Sequence, residues 1–213
     1  MSNAYEGYYA RFTALSKDDA AIIVGADTIV GDEFEVFFQV EDGISVAYLK
    51  NKFDATVGKF DRDVSRKLQL AVAGERAIRA YLSFVAYSEE PEPGQYWGEV
   101  AIITFNPIDE EIFEPYLAGI SEKLAAGVRP NIDLTDAEVA KMYNDEGWLP
   151  TATVPKPTLE KGSAIVKDHR TLSEGMVEQG RKGNPGCYAV STALNLLMIA
   201  VVLYVVLKVT GVL

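Results

Sequence analysis

Apolar and polar residues alternate with a period of two over much of the first half of the chain. The clearest stretch is 77–87 (AIRAYLSFVAY), where Ile78, Ala80, Leu82, Phe84 and Ala86 interleave with Arg79, Tyr81, Ser83 and Tyr87. That is the period of a half-buried strand. Five further runs are rich in β-branched and aromatic residues and also predict strands: 20–30 (AAIIVGADTIV), 34–40 (FEVFFQV), 44–50 (ISVAYLK), 52–58 (KFDATVG) and 96–105 (YWGEVAIITF). Residues 88–95 (SEEPEPGQ), acidic and rich in Pro and Gly, suit an exposed hairpin connection.

The period changes in three places. Between 61 and 74, Val64, Leu68, Ala71 and Val72 share one helical face, with Asp61 or Asp63 able to cap the start and Gly74 the end. A second helix follows Asn106, with Asp109, Glu110 and Glu111 at the positive end of its dipole and Gly127 at its stop. In a third, Thr135 and Glu138 have capping-box spacing, Gly147 lies at the far end, and Val139, Met142 and Tyr143 form an apolar stripe. Such a stripe packs on its own domain by default, or docks a partner. Residues 148–160 (WLPTATVPKPTLE) hold three prolines and no periodicity, which predicts an extended linker. A short helix is expected around 172–180.

From Tyr188 to Leu207 the pattern loses its polar members. These 20 residues carry no charge, and as a helix they would span about 30 Å, the thickness of a bilayer core. About half are Leu, Ile or Val, which favours insertion by roughly 3 to 6 kcal/mol. A buried core helix, the rival reading, would be shorter and show a polar face. Lys167, Arg170, Arg181 and Lys182 precede the segment and only Lys208 follows it, so the N-terminal side is expected to be cytoplasmic. The expected arrangement is a tail-anchored, single-pass protein whose flanking bases meet anionic headgroups.

Charge sharpens that division. The net charge is −11; residues 1–160 hold 28 acids against 14 bases, and residues 161–213 hold 3 acids against 6 bases. One patch opposes the acidic background: between 50 and 79 stand Lys50, Lys52, Lys59, Arg62, Arg66, Lys67, Arg76 and Arg79 against Asp54, Asp61, Asp63 and Glu75, with Tyr81 and Tyr87 nearby in sequence. A basic surface with aromatics suits a ligand, a nucleic-acid strand or another polyanion. A solvated face whose bases pair with neighbouring acids has the same composition. The candidate binding residues are Lys50, Lys52, Lys59, Arg62, Arg66, Lys67, Arg79 and Tyr81.

Catalytic patterns are sparse. His169 is the single histidine and Cys187 the single cysteine, both in the segment leading to the span, and no phosphate-cradling glycine loop occurs. No cofactor, metal ion or catalytic residue is therefore expected. Paired carboxylates stay open as a hydrolase's means. Asp61 and Asp63 are read as caps, and Glu99, inside a strand beside Trp97, as lying on a wet face.

The stretch 41–87 resembles the HIRAN domain, through Asp42, Ile44, Val46, Val57, Gly58, Phe60 and Leu68, with a hairpin at 77–105; the resemblance covers about residues 5–106. The turn common before the first of these strands in that family is replaced here by "QVED". The resemblance implies a small β-barrel of OB-like character with one helix, and a binding module, sometimes for a single-stranded DNA end. The expected fold is α+β: a β-rich barrel-like domain (1–106), a helical extension (107–147), a linker and basic juxtamembrane segment (148–187) and a transmembrane helix (188–207). The expected function is a tethered, non-enzymatic binding or adaptor module for an unknown protein or small ligand. Nucleic-acid binding and carboxylate-dependent hydrolysis are the alternatives.

Overall fold

The computed structural model of the chain describes residues 5–90, 92–145 and 147–181. Six strands form an antiparallel barrel: β1 (Tyr5–Thr13), β2 (Glu33–Glu41), β3 (Ile44–Lys50), β4 (Thr56–Phe60), β5 (Ala77–Ser88) and β6 (Gln95–Phe105). They run β2-β3-β4-β1-β6-β5, and β5 returns to β2. A seventh, β7 (Ser163–Lys167), pairs with the later half of β5. Closure rests on two residue pairs, Glu33 with Tyr81 and Phe34 with Ala80, extended by Leu82, whose N–H donates to the Asp32 carbonyl (3.0 Å) and whose carbonyl accepts from the Gly31 N–H (2.8 Å).

The β2–β3 hairpin follows from its turn. Asp42 and Gly43 both have positive φ, 49° and 78°, the two-residue geometry whose twist matches that of the flanking strands. Inward side chains of all six strands fill the barrel, among them Phe12, Phe34, Leu49, Val57, Phe60, Leu82, Val100 and Ile102. The Phe12 ring needs two glycines. A Cβ on Gly98 would lie 2.6 Å from Phe12 Cε1 and Cζ, and one on Gly58 would lie 2.7 Å from Phe12 Cδ2.

Helix α2 (Arg62–Ala73) brings Leu68 to this core between β4 and β5. The Val64 N–H donates to Asp61 Oδ1 at 2.9 Å, so Asp61 is the cap, and Gly74 donates to the Leu70 carbonyl at 3.0 Å. A second core lies outside the barrel. Tyr5, Tyr81, Ile103 and Phe105 face α3 (Glu110–Ala125) through Phe113, Tyr116, Leu117 and Ile120, and Met142 of α4 (Asp136–Asn144) joins them. The apolar stripe of α4 thus packs on its own domain at Met142 and Val139. The Thr135–Glu138 capping box is present.

Four features differ from the sequence pattern. Residues 20–30, expected as a strand, form the end of α1 (Lys17–Val24) and a loop. A short apolar run does not distinguish helix from strand. Here Gly25 closes the helix by donating to the Ala21 carbonyl at 2.9 Å. β1 was not visible as a strand, since its periodicity is broken by Gly7 and by tyrosines on both faces. The strand expected at 52–58 starts at Thr56; before it, Asn51 Oδ1 accepts from the N–H groups of Phe53 (3.0 Å) and Ala55 (3.1 Å) and builds a turn. Finally, β7 lies within the stretch expected to be linker and basic tether. Residues 148–160 do run extended, and they are held: Asn131 N–H donates to the Ala152 carbonyl and Val154 N–H to that of Arg129, both at 2.8 Å.

The described residues from Tyr5 to Arg170 form one compact unit, and Thr171 begins a second. In the second, the described element is α5 (Leu172–Arg181), close to the helix expected there. Among the described residues no helix is long and apolar enough to cross a membrane. The span expected at 188–207 lies outside them, as do Lys182, Cys187 and Lys208.

Candidate functional site

The barrel has one open seam. β2 pairs with β5 at Glu33 and Phe34 and then diverges from it, so Glu35 to Glu41 pair only with β3 among the described residues. The gap is a cleft of about 460 Å³. Phe34, Val36 and Ile78 form its apolar floor, and the Asn51 turn closes one end. Its rim is charged in both senses, with Glu33, Glu35 and Asp54 alternating with Lys52 and Arg79.

Each cation on this rim meets a carboxylate. Arg79 Nε lies 3.4 Å from Glu33, and its Nη2 bonds Glu110. Lys50 bridges Glu35 at 3.1 Å and Asp54 at 3.2 Å, and both carboxylates raise its pKa. Lys52 stands 3.6 Å from Asp32. Burial pushes the Glu33 carboxyl above the ordinary value; Arg79 opposes this and Glu110 adds to it. Tyr81, 6% exposed, lies behind the seam, its phenol pKa raised by burial first and then by Glu33.

Two of the eight candidate binding residues, Lys52 and Arg79, therefore line one cleft; Lys50 reaches its edge through Glu35 and Asp54, and Tyr81 is buried behind it. The others are elsewhere. Lys59 and Arg62 line a separate hollow of about 300 Å³ with Glu41, Ile44 and Val46, and Lys59 Nζ lies 2.8 Å from Glu41. Lys67 sits 4.6 Å above the Tyr8 ring and 3.6 Å from Glu6, which also meets Arg76 at 3.7 Å. Arg62 and Arg66 are exposed on α2 with no ion pair among the described residues. Only around α2 does the basic stretch present unpaired cations.

The bases expected to flank a membrane also divide. Lys167 Nζ donates to the carbonyls of Gly25 (2.9 Å) and Thr28 (2.8 Å), and Arg170 Nε to that of Val30 (2.6 Å). These two side chains bind the loop between α1 and β2 rather than standing free as charged flanks. Arg181 is the last residue of α5.

Pattern reading missed Arg129 and misplaced Glu99. Glu99 is not on a wet face. The covering segment at 129–131 buries it, and it forms an ion pair with Arg129, whose guanidinium stacks 4.3 Å from the Tyr9 ring. Burial raises the Glu99 pKa, and Arg129 partly offsets that. Strand alternation marked Glu99 as outward-facing but did not show that the outer face is itself covered. His169 Nδ1 meets the neighbouring Asp168 at 2.6 Å, and no metal-holding group of His, Cys, Asp and Glu occurs among the described residues.

No protein-family model matches the chain, and a search of curated proteins finds no match.

Proposed function

We propose that residues 5–170 are a binding module held at a membrane by residues 188–207, and that a partner protein occupies the cleft between β2 and β5. The observation that carries the reading is the seam: an apolar floor with unpaired strand edges beside it, rimmed by both charges. A polyanion prefers an excess of positive charge. Here Glu33, Glu35, Asp54, Asp32 and Glu110 outnumber Lys50, Lys52 and Arg79. A polypeptide, which brings apolar side chains and both charges, complements such a rim. The barrel is read as HIRAN-like, on Val57, Gly58 and Phe60 beside α2. The membrane tether rests on the apolar, uncharged run at 188–207 and on Arg181, Lys182 and Lys208 beside it.

The test is site-specific photo-crosslinking in intact membranes. A crosslinker at Ile78 should give a discrete protein adduct, which Glu35→Lys with Asp54→Lys abolishes. Absence of any adduct at Ile78 defeats this reading.

A second reading is favoured by Arg62 and Arg66, exposed and without ion pairs among the described residues, with Lys67 stacked on Tyr8 close by. These residues offer cations and an aromatic ring to a nucleic-acid strand. A salt-dependent gel shift that Arg62→Glu with Arg66→Glu abolishes would establish it. The hydrolase alternative draws on Glu33 and Glu35, which line the cleft together. Their tie to Arg79 and Lys50 suits ion-pair recognition better than proton transfer.

A further inference from the structure

We infer that the free edge of β2, residues 35–41, takes an added β-strand from a partner protein, an extended segment with apolar residues at alternate positions and Lys or Arg between them. Strand addition presupposes the binding role proposed above and specifies how the partner is held.

The main chain supplies the first argument. The two-residue turn makes Glu41 and Ile44 a hydrogen-bonded pair, and the alternation of an antiparallel ladder then directs the N–H and C=O groups of Val36, Phe38 and Val40 away from β3. Two neighbours agree with this assignment. Phe34, in phase with Val36, uses the same edge to pair with Ala80 of β5. Ala47, opposite Phe38, gives its N–H to Ser65 Oγ at 3.0 Å, on its side away from β2. Past Phe34, nothing among the described residues pairs with the β2 edge. Three donors and three acceptors stand in a row along it.

The side chains supply the second. The strand reads EFEVFFQVE. An edge that long and apolar, without Pro, Lys or a bulge, is what natural sheets avoid unless something covers it. Val36 and Phe38 lean on the barrel core, while Val40 is 74% exposed. An added strand would set its apolar side chains against these three.

Charge selects the occupant. β2 carries Glu33, Glu35 and Glu41 and no base; each meets one cation from another strand, Arg79, Lys50 or Lys59, yet their side chains stay 49%, 64% and 39% exposed, open to a second base. A second copy pairing antiparallel about Phe38 would set Glu35 against Glu41, like charges across a ladder, which is destabilising. A segment with Lys or Arg at its outward positions meets attraction at the same places. Main-chain bonds give such a complex its affinity, and the alternating pockets its specificity.

The test uses the full-length protein in detergent micelles. The probes are a short fluorescein-labelled peptide alternating valine and lysine, the same peptide N-methylated along one edge or the other, and a valine–glutamate counterpart. Fluorescence anisotropy should show binding of the valine–lysine peptide, none of the glutamate peptide, and loss for one of the two N-methylated forms. Val40→Pro removes an N–H from the free edge and none from the β3 ladder, so binding should weaken about tenfold. Circular dichroism would confirm that this variant is folded, and the N-methylated peptides test the same bonds on unaltered protein. Equal binding by both N-methylated peptides overturns strand addition, because charge attraction alone would then explain the affinity. Failure of the valine–lysine peptide to bind overturns it too, as does self-association through this edge that Val40→Pro disrupts. An Ile78 adduct that persists in those cases leaves the binding role standing; its absence removes both.

Discussion

Glu99 on β6 and Arg129, from the segment after α3, form an ion pair across the outer surface of the barrel, with side chains only 12% and 5% exposed. The pair joins the barrel to the layer covering it. Arg129 extends that join by donating to the Pro155 carbonyl at 2.6 Å and stacking on Tyr9. Removing one member leaves a buried charge without its counterpart.

Arg129→Met should therefore destabilise the protein by about 3–5 kcal/mol, and Glu99→Leu added to it should restore most of the loss. Urea denaturation of the full chain measures both. The pH dependence has a definite sign. Burial holds the Glu99 pKa above the ordinary value even with Arg129 present. A carboxyl raised in the folded state costs stability above its folded pKa, and that cost disappears as the pH falls below the unfolded value. Arg129→Met removes the opposing attraction and raises the pKa further. The variant's deficit should be largest at neutral pH and above, and shrink on acidification to about pH 4.

Gly98 and Gly58 make room for the Phe12 ring. A methyl on Gly98 would also approach the Phe84 carbonyl oxygen to 2.9 Å. Gly98→Ala should cost about 1–3 kcal/mol through overpacking. Phe12→Leu in the same chain should return part of it, a coupling that thermal melts of the two single variants and the double variant would measure.

Lys167 carries its ammonium to two backbone carbonyls between α1 and β2. Lys167→Met should cost about 1–3 kcal/mol, because both acceptors lose their donor. Hydrogen exchange should accelerate in residues 25–31, while binding to anionic vesicles stays unchanged. Unchanged exchange with weakened vesicle binding would return Lys167 to a headgroup-facing role.

If residues 188–207 tether the protein, it should stay with the membrane pellet after carbonate extraction. A charge at the centre of such a span costs about 2.5–3.5 kcal/mol. Leu197→Lys with Met198→Lys should then move the protein to the supernatant. Wild-type protein in the supernatant would refute the tether.

Local patterns were legible where local physics decides them. Strands β2, β3, β5 and β6 follow from alternation and turn residues, and α2 from Asp61 and Gly74 at its ends. The capping box of α4 is a matter of four consecutive residues. α1 was not legible, because five apolar residues in a row fit either period, and β1 was hidden by tyrosines standing on both of its sides, Tyr5 buried and Tyr8 and Tyr9 half-buried. Of the candidate site, the sequence supplied the residue types. It did not show that Lys50, Lys52 and Arg79 meet acids from β2, α3 and the loop before β2.

What the sequence determined by itself was each segment's period, its ends and its charge, since these depend on residues a few positions apart. The tertiary structure alone decided that the barrel closes only through the start of β2 and the two residues before it, that Glu99 is covered by Arg129, and that Lys167 serves the loop after α1. Those outcomes join residues distant in sequence. Which partner a charge or a strand edge finds is settled by packing the whole chain, and no period records it.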